Sequence, residues 1–479
     1  MMPRLNTQLD LALFDEAQLG RFLERALEVW RRVPFRVQGP DEFYDYLAAY
    51  GCRVDGEQVW FPPAVIERTL ARIAAEKTGK RPAEKPRQGI AAFTHGQALA
   101  ICDVETNQLR AATEDDLRRW CHLVDALDIP QRSHPTFIPT DVPRGAADVH
   151  AFATILLHSR SAHRVSVYSA RNLPLFLEAQ AIASGNVEAA RANPAFATKC
   201  WVNSPFTITR ENVEIGLAAR RLLGRPIEFG HMPVAAAAGP VTVAGSLVQN
   251  TAESLALCAM RLAVDDLTCG ISGSSAVLDL RAGAPRQSGP DLMLHLLAGS
   301  QMHAHLFGGA PSLSISGVAA PVVSAQAQTE KALAAAWNVA AGARQLGVGC
   351  LAYSDVGSPV QLILDLELVR HFDELVREVA VDEAHVDVEG IVATAPRGAH
   401  FIEAEHTARF FREEAWLSDL FDYRVAHAWG GEGGDMIDRA RGRARDLWAN
   451  AENQCPLSEA QRREIEELER RADRLAEAG

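Results

Sequence analysis

The sequence predicts an α/β fold: a TIM (β/α)8 barrel with an N-terminal helical extension and C-terminal helices. Three observations point there. Short apolar runs recur through the middle of the chain, each followed by a helical pattern, with starts roughly 30 to 40 residues apart, the length of one strand–loop–helix–loop unit. The runs are rich in Val, Ile, Phe, Cys and Ala without strict alternation, as strands buried on both faces should be. The competing doubly wound sheet would want a glycine-rich turn, and neither GxGxxG nor GxxxxGK[ST] is present.

Each element has its own reason. Residues 15–32 repeat apolar positions at three and four, as an amphipathic helix does, and residues 41–50 do the same before a stop at Gly51. Residues 52–61 read as a hairpin turning at Asp55-Gly56. Pro62-Pro63 opens another helix, and the polar, Pro-containing stretch 78–90 reads as a linker. Thr113 caps a helix with acids in its first turn. Up to this point the chain looks helical and irregular. From about residue 130 come the seven strand candidates: 133–138, 163–169, 200–205, 226–232, 267–273, 305–313 and 348–354. An eighth is best sought at 398–403, and residues 456–479 form a charge-dense helix. The expected division is 1–130 as a helical and hairpin region, 131–415 as the barrel and 416–479 as a helical segment.

Composition excludes several classes. The 479 residues carry 48 Lys and Arg against 61 Asp and Glu, a formal charge of −13, which argues against nucleic acid or an anionic membrane as main partner. No apolar run is long enough to span a membrane, and charges interrupt the start where an export signal needs an apolar core. The eight cysteines are scattered with no CxxC pair, which fits reduced thiols in the cytoplasm. His303 with His305, and His400 with His406, match no metal motif, so no intrinsic metal is expected. No GxSxG elbow appears, which argues against a serine hydrolase.

In a parallel barrel, function gathers at the carboxyl ends of strands. The residues expected there include the aromatics Phe137, Tyr168, Trp201, Phe229, Phe307 and Tyr353, in a chain only 7% aromatic. Charges are few, chiefly Asp141, His231 and Asp355. An aromatic lining with one or two carboxylates suits a cationic, alkylated ligand, because ring faces attract a quaternary ammonium that cannot donate hydrogen bonds. Asp355 and His231 are the candidates for catalysis; Phe137, Tyr168, Trp201, Asn203, Phe229, Phe307 and Tyr353 are those for substrate. The small-residue loop around Gly239, Pro240 and Thr242, with Ser274, would let a large flat cofactor approach the backbone.

At that loop, AAAAGPVTVAGSLVQNTAESLA resembles the loop and helix of the trimethylamine methyltransferase family. VDGEQVWFPPAVIERTLA, LRAATEDDLRRWCHLVDALDIPQ, PTDVPRGAADVHAFATILLHSR, VSAQAQTEKALAAA, YSDVGSPVQLILDLELV and GAHFIEAEHTARFFREEAW also resemble it, and their order carries more than any one segment. The resemblance implies a TIM barrel that moves a methyl group from a methylated amine to Co(I) of a corrinoid held by a separate small protein. Founding members carry pyrrolysine; this chain has only standard residues and is similar to the branch acting on quaternary amines such as glycine betaine, proline betaine and carnitine. Asn203, Ser204, His231 and Arg281 would be donors to a substrate carboxylate. The alternatives are trimethylamine or a sulfonium as methyl donor, or a methylated-amine-binding paralogue without turnover. A Schiff-base lyase would need a lysine at a strand end, and the barrel's only lysines are Lys199 and Lys331. Self-association is the general prior for a large barrel.

Overall fold

The computed structural model describes residues 12–79, 89–129, 131–132, 136–161, 164–270, 273–309, 317–425, 427 and 434–478. Helix Glu16–Arg32 starts at an Asp15–Gln18 capping box and buries Leu19, Ala26 and Trp30, the stripe the periodicity predicts. It packs on the long helix Val243–Asp265. Strands Arg53–Asp55 and Gln58–Trp60 pair antiparallel around Gly56, whose φ of +57° is the left-handed geometry the tight turn requires. Strand Phe35–Val37 joins that hairpin on one side and runs parallel to Thr207–Ile208 on the other. The N-terminal hairpin is thereby part of the sheet that holds strands Lys199–Asn203 and Glu228–His231.

From Ala91 onward parallel pairs outnumber antiparallel ones, and helices separate the parallel strands in sequence. Gln345–Val348 pairs with Ala91–Thr94, which pairs with Gln131–Arg132. Val165–Ser166 pairs with Phe196–Ala197, and Lys199–Asn203 with Glu228–His231. Helices Glu114–Ala126, Ala147–His158, Leu173–Ser184 and Arg210–Leu223 make the crossovers between these strands. Parallel neighbours need such crossovers, so the chain is α/β. Among the described residues the ladders do not join into one closed ring.

Several strand expectations hold and several change. The runs at 200–205 and 226–232 are strands, and 165–166 is the strand inside 163–169, whose His163 lies outside the described residues. In 133–138, residues 133–135 lie outside the described residues, and Phe137 makes an isolated bridge to Ala98. The described part of 267–273 is not a strand; the strand there is Ala276–Asp279, parallel to Val234–Ala235. Residues 305–307 end helix Pro290–Phe307, because its apolar stripe simply continues into the run, and 310–313 lie outside the described residues. In 348–354 only Val348 belongs to the parallel strand; a short strand Cys350–Leu351 and a 3-10 turn follow. The proposed eighth strand at 398–403 is a 3-10 turn, Phe401–Glu403. The strand beside Gln345–Val348 is instead Ala91–Thr94, in a region that reads as irregular because four residues carry no periodicity.

Two large apolar clusters hold these elements. One centres on Trp120 and the stacked rings of Phe152 and Phe176, 4.8 Å apart, and takes in Ile465, Leu468 and Ala472 of the C-terminal helix Glu459–Glu477. The other gathers Trp30, Phe35 and Phe43 against helix Val243–Asp265. All eight cysteines are free thiols, as their spacing predicts.

Candidate active site

Register decides which strand-end residues share a face. Successive side chains of a strand point to opposite sides, and in-register parallel neighbours share one. Cys200 lies opposite Phe229 and Val202 opposite His231, so Phe229 and His231 face the layer filled by helix Val243–Asp265. Trp201 faces the other way, opposite Gly230. Its ring lies against that glycine so closely that a Cβ there would meet ring carbons at 2.5 Å. The Trp201 backbone N–H is fixed by Asn212 Oδ1 at 2.9 Å, and the Lys199 ammonium sits 5.8 Å from the ring centroid.

The helix-facing side carries a buried polar cluster. Glu253 is wholly buried and the His231 side chain is only 4% exposed. His231 Nε2 contacts Glu253 Oε2 and lies 3.0 Å from Ser204 Oγ. Ser204 Oγ donates to Glu253 Oε2 at 2.7 Å, and the Phe206 backbone N–H donates to Oε1 at 3.1 Å. Gln249, one turn earlier on the same helix face, donates to Glu253 Oε1 at 3.1 Å and to the Ala238 carbonyl at 2.6 Å. Burying this carboxylate is tolerable only because its oxygens are so fully met. Both the acid and the hydroxyl sit on Nε2, whereas a nucleophile relay needs them on opposite ring nitrogens. His231 Nδ1 is buried without a hydrogen-bond partner. The arrangement therefore orients and locks; it does not activate Ser204.

Through Gln249 the cluster grips the small-residue loop. An added Cβ on Gly239 would meet the Gln249 amide at 3.1 Å, so the glycine admits the side chain that ties the loop down. Thr242 caps helix Val243–Asp265 by accepting from the Gly245 N–H at 3.2 Å, and Ser246 donates to the Pro240 carbonyl. Buried Ser274 accepts from Asn250 Nδ2 of the same helix at 3.1 Å. Pro240, Val241 and Thr242 remain exposed.

A second cluster follows the strand at 345–348. Ala352, Tyr353 and Ser354 have φ of 45°, 59° and 71°, three successive left-handed residues without a glycine. Such conformations cost about 1–2 kcal/mol each and persist only where surroundings impose them. Here the Ala352 and Tyr353 N–H groups donate to the carbonyls of Ala320 and Val318 at 3.0 and 2.8 Å. The turn brings the Tyr353 hydroxyl 3.5 Å from Ser275 Oγ and leaves Asp355 open to solvent. Partial burial nevertheless raises the Asp355 carboxyl above its ordinary range. Tyr168 is half-exposed; its N–H donates to Asp148 at 2.8 Å and its hydroxyl to Gln97, whose amide reaches Ser166 at 3.1 Å.

The expected lining thus divides. Trp201, Tyr168 and Tyr353 keep exposed or half-buried rings, and Asn203 is exposed. Phe137 is fully buried edge-on to Trp120, and Phe307 is buried in a helix, stacked on His303 at 5.0 Å. Phe229 and Trp201 lie on opposite faces of one sheet. Arg281 is held by its own neighbour Asp279 at 2.7 Å. Glu253 and Gln249 escaped sequence reasoning; the signal was a Gln and a Glu four apart, on one face of a helix whose neighbouring turns are mostly small and apolar. Among the described residues, the group with metal-ligating geometry is Glu114, His150 and Glu469, which includes none of the strand-end candidates.

Comparison with known proteins decides the family. A family model described as trimethylamine methyltransferase (MTTB) matches residues 2–476. The chain belongs to this family. It is a methyltransferase. A trimethylamine methyltransferase MttB of Desulfitobacterium hafniense (strain DSM 10664 / DCB-2) is 24% identical over 445 residues, covering 90% of this chain and 88% of that protein. A glycine betaine methyltransferase of Desulfitobacterium hafniense (strain Y51) is 24% identical over 452 residues, covering 92% and 89%. A trimethylamine methyltransferase MttB of Methanosarcina thermophila is 24% identical over 439 residues, covering 88% and 90%. Among the described residues no helix is long and apolar enough to cross a membrane.

Proposed function

We propose that this methyltransferase moves a methyl group from a quaternary, betaine-like amine to Co(I) of a corrinoid carried by a partner protein. The observation that carries the substrate class is Trp201, its ring packed against Gly230 with the Lys199 ammonium within cation–π range of it. A face that accepts an ammonium in this way suits a cation with no N–H to donate. Exposed Asn203 beside it is the donor for a substrate carboxylate. The parallel ladders read as arcs of one TIM barrel. The support is that a late parallel strand, Gln345–Val348, neighbours an early one, Ala91–Thr94, as closure would demand.

The chemistry needs little from side chains. A quaternary nitrogen leaves as a neutral tertiary amine, so no acid is required at the leaving group, and the chain's task is alignment and exclusion of water. The corrinoid supplies the nucleophile that accepts the methyl group. The residues fit its approach: exposed Pro240, Val241 and Thr242 offer an uncharged surface, and Gln249 and Glu253 hold the loop behind them in place. His231 acts through Glu253 as a positioning residue.

The test uses trideuteromethyl-labelled substrates, glycine betaine, proline betaine, carnitine, trimethylamine and a methylated sulfonium, each with cob(I)alamin. Label should appear on cobalt from a quaternary amine, with the matching tertiary amine released. A sulfonium as sole donor would redirect the substrate. Tight amine binding with unlabelled cobalt throughout would identify a non-catalytic paralogue and overturn the proposal.

A further inference from the structure

Strand Ala91–Thr94, hidden from the sequence pattern, brings a new residue to the site. It runs parallel to Gln345–Val348 on one side and to Gln131–Arg132 on the other, so residues 95–97 leave the sheet at a carboxyl end. That end of parallel strands is where ligand-binding groups gather, in closed and open sheets alike. The backbone there is pinned. The His95 carbonyl accepts from Cys350 Sγ at 3.0 Å and from Thr136 Oγ1 at 3.2 Å, and the Ala98 N–H donates to the Thr136 carbonyl at 2.8 Å. Gly96 between them has a φ of +103°, and a Cβ there would meet Cys350 Sγ at 2.8 Å. Gln97 is thereby delivered to one place, and its amide is used at both ends. Nε2 donates to buried Ser166 Oγ at 3.1 Å, and Oε1 accepts from the Tyr168 hydroxyl.

Tyr168 is held a second time through its main chain. Its N–H donates to Asp148 Oδ2 at 2.8 Å, and Asp148 is only 1% exposed, its other oxygen met by Asn172 Nδ2 at 2.7 Å. A buried carboxylate costs free energy to keep. Here it joins an amide from another strand to fix a residue that is still 43% exposed. An open ring tied at both ends is suited to be a ligand face, since little remains to be ordered when the ligand arrives.

We propose that Gln97 is a positioning residue for amine recognition: it sets the Tyr168 ring as a face for the cationic head of the substrate, and so favours a quaternary ammonium over an uncharged group of the same shape. This role rests on the proposed substrate class. With its hydroxyl proton given to Gln97, Tyr168 meets the ligand through its ring, and a ring face attracts the charge without asking for an N–H.

Calorimetry of the full chain without corrinoid compares glycine betaine with the anion of tert-butylacetic acid, in which an uncharged tert-butyl group replaces the ammonium. Wild type should prefer the betaine about tenfold. Gln97→Leu keeps the bulk and removes both amide hydrogen bonds. It should weaken betaine about fivefold and change binding of the uncharged isostere less than about twofold. Tyr168→Phe removes the same bond from the other side and should match it, and the double variant should lose no more than either alone. Gln97→Glu still accepts from the phenol and should keep the preference. Should Gln97→Leu not fold, Tyr168→Phe carries the same readout. Equal losses for both ligands would make Gln97 a merely structural residue and overturn the proposal, as would a preference unchanged in both Gln97→Leu and Tyr168→Phe; either result leaves the substrate class standing. A wild type without preference for the cation overturns that class and this inference with it.

Discussion

Glu253 illustrates how one side chain fixes a site. It accepts from Ser204, Phe206 and Gln249 and pairs with His231, all out of water. Glu253→Ala strands these donors, so urea unfolding should show a loss of about 3–5 kcal/mol. Gln249→Ala removes the links to the Ala238 carbonyl and to Glu253 and should cost about 1–2 kcal/mol, while slowing methyl transfer more than it weakens amine binding. A Gln249→Ala enzyme with unchanged kcat would detach the loop from the reaction. Gly230→Ala pushes a methyl into the Trp201 ring and should cost about 1–3 kcal/mol and loosen quaternary amine binding, measured by calorimetry. His231 and Ser204 were legible in the sequence because they end apolar runs. Their partner was not, since an acid in a helix usually faces water, and only the strand register shows which way His231 points.

Elements with strong local signals were legible to within a residue or two. Asp55-Gly56 marks its hairpin, and Thr113 forms a capping box with Asp116. Strand Ala91–Thr94 was hidden because its pairing with residues some 250 positions away leaves no local trace. Residues 305–307 misled for the opposite reason: an apolar run is as good a helix end as a strand. The C-terminal helix has a titratable clasp. His150 bridges Glu114 and Asp473 at 2.9 Å each. Burial lowers its affinity for protons, but these carboxylates outweigh it and hold the imidazole at about 9, from 6.5. Burial, reinforced by Glu114, raises Glu469 from 4.5 to about 7. Both folded values are raised, so the His150 contribution is complete below 6.5 and lost through 9, and that of Glu469 is complete below 4.5 and lost through 7. The melting midpoint should fall as pH rises from about 5 to 9. Glu469→Gln should flatten the lower part of that curve and His150→Gln the upper; a profile the same in both variants would remove the clasp.

At the scale of the molecule, the spacing of apolar runs carried the α/β class and the family-like segments carried the reaction class. Neither could show where the sheet begins, because strand order is a property of contacts and not of neighbours in sequence. The central claim is a quaternary methyl donor, and it is tested most directly by the rate of methylcobalamin formation with glycine betaine and with trimethylamine, followed in the visible spectrum of cob(I)alamin at one pH. The account predicts rapid conversion with a quaternary amine and none with trimethylamine, whose neutral nitrogen would have to be activated before dimethylamine could leave. Conversion with trimethylamine alone would contradict it.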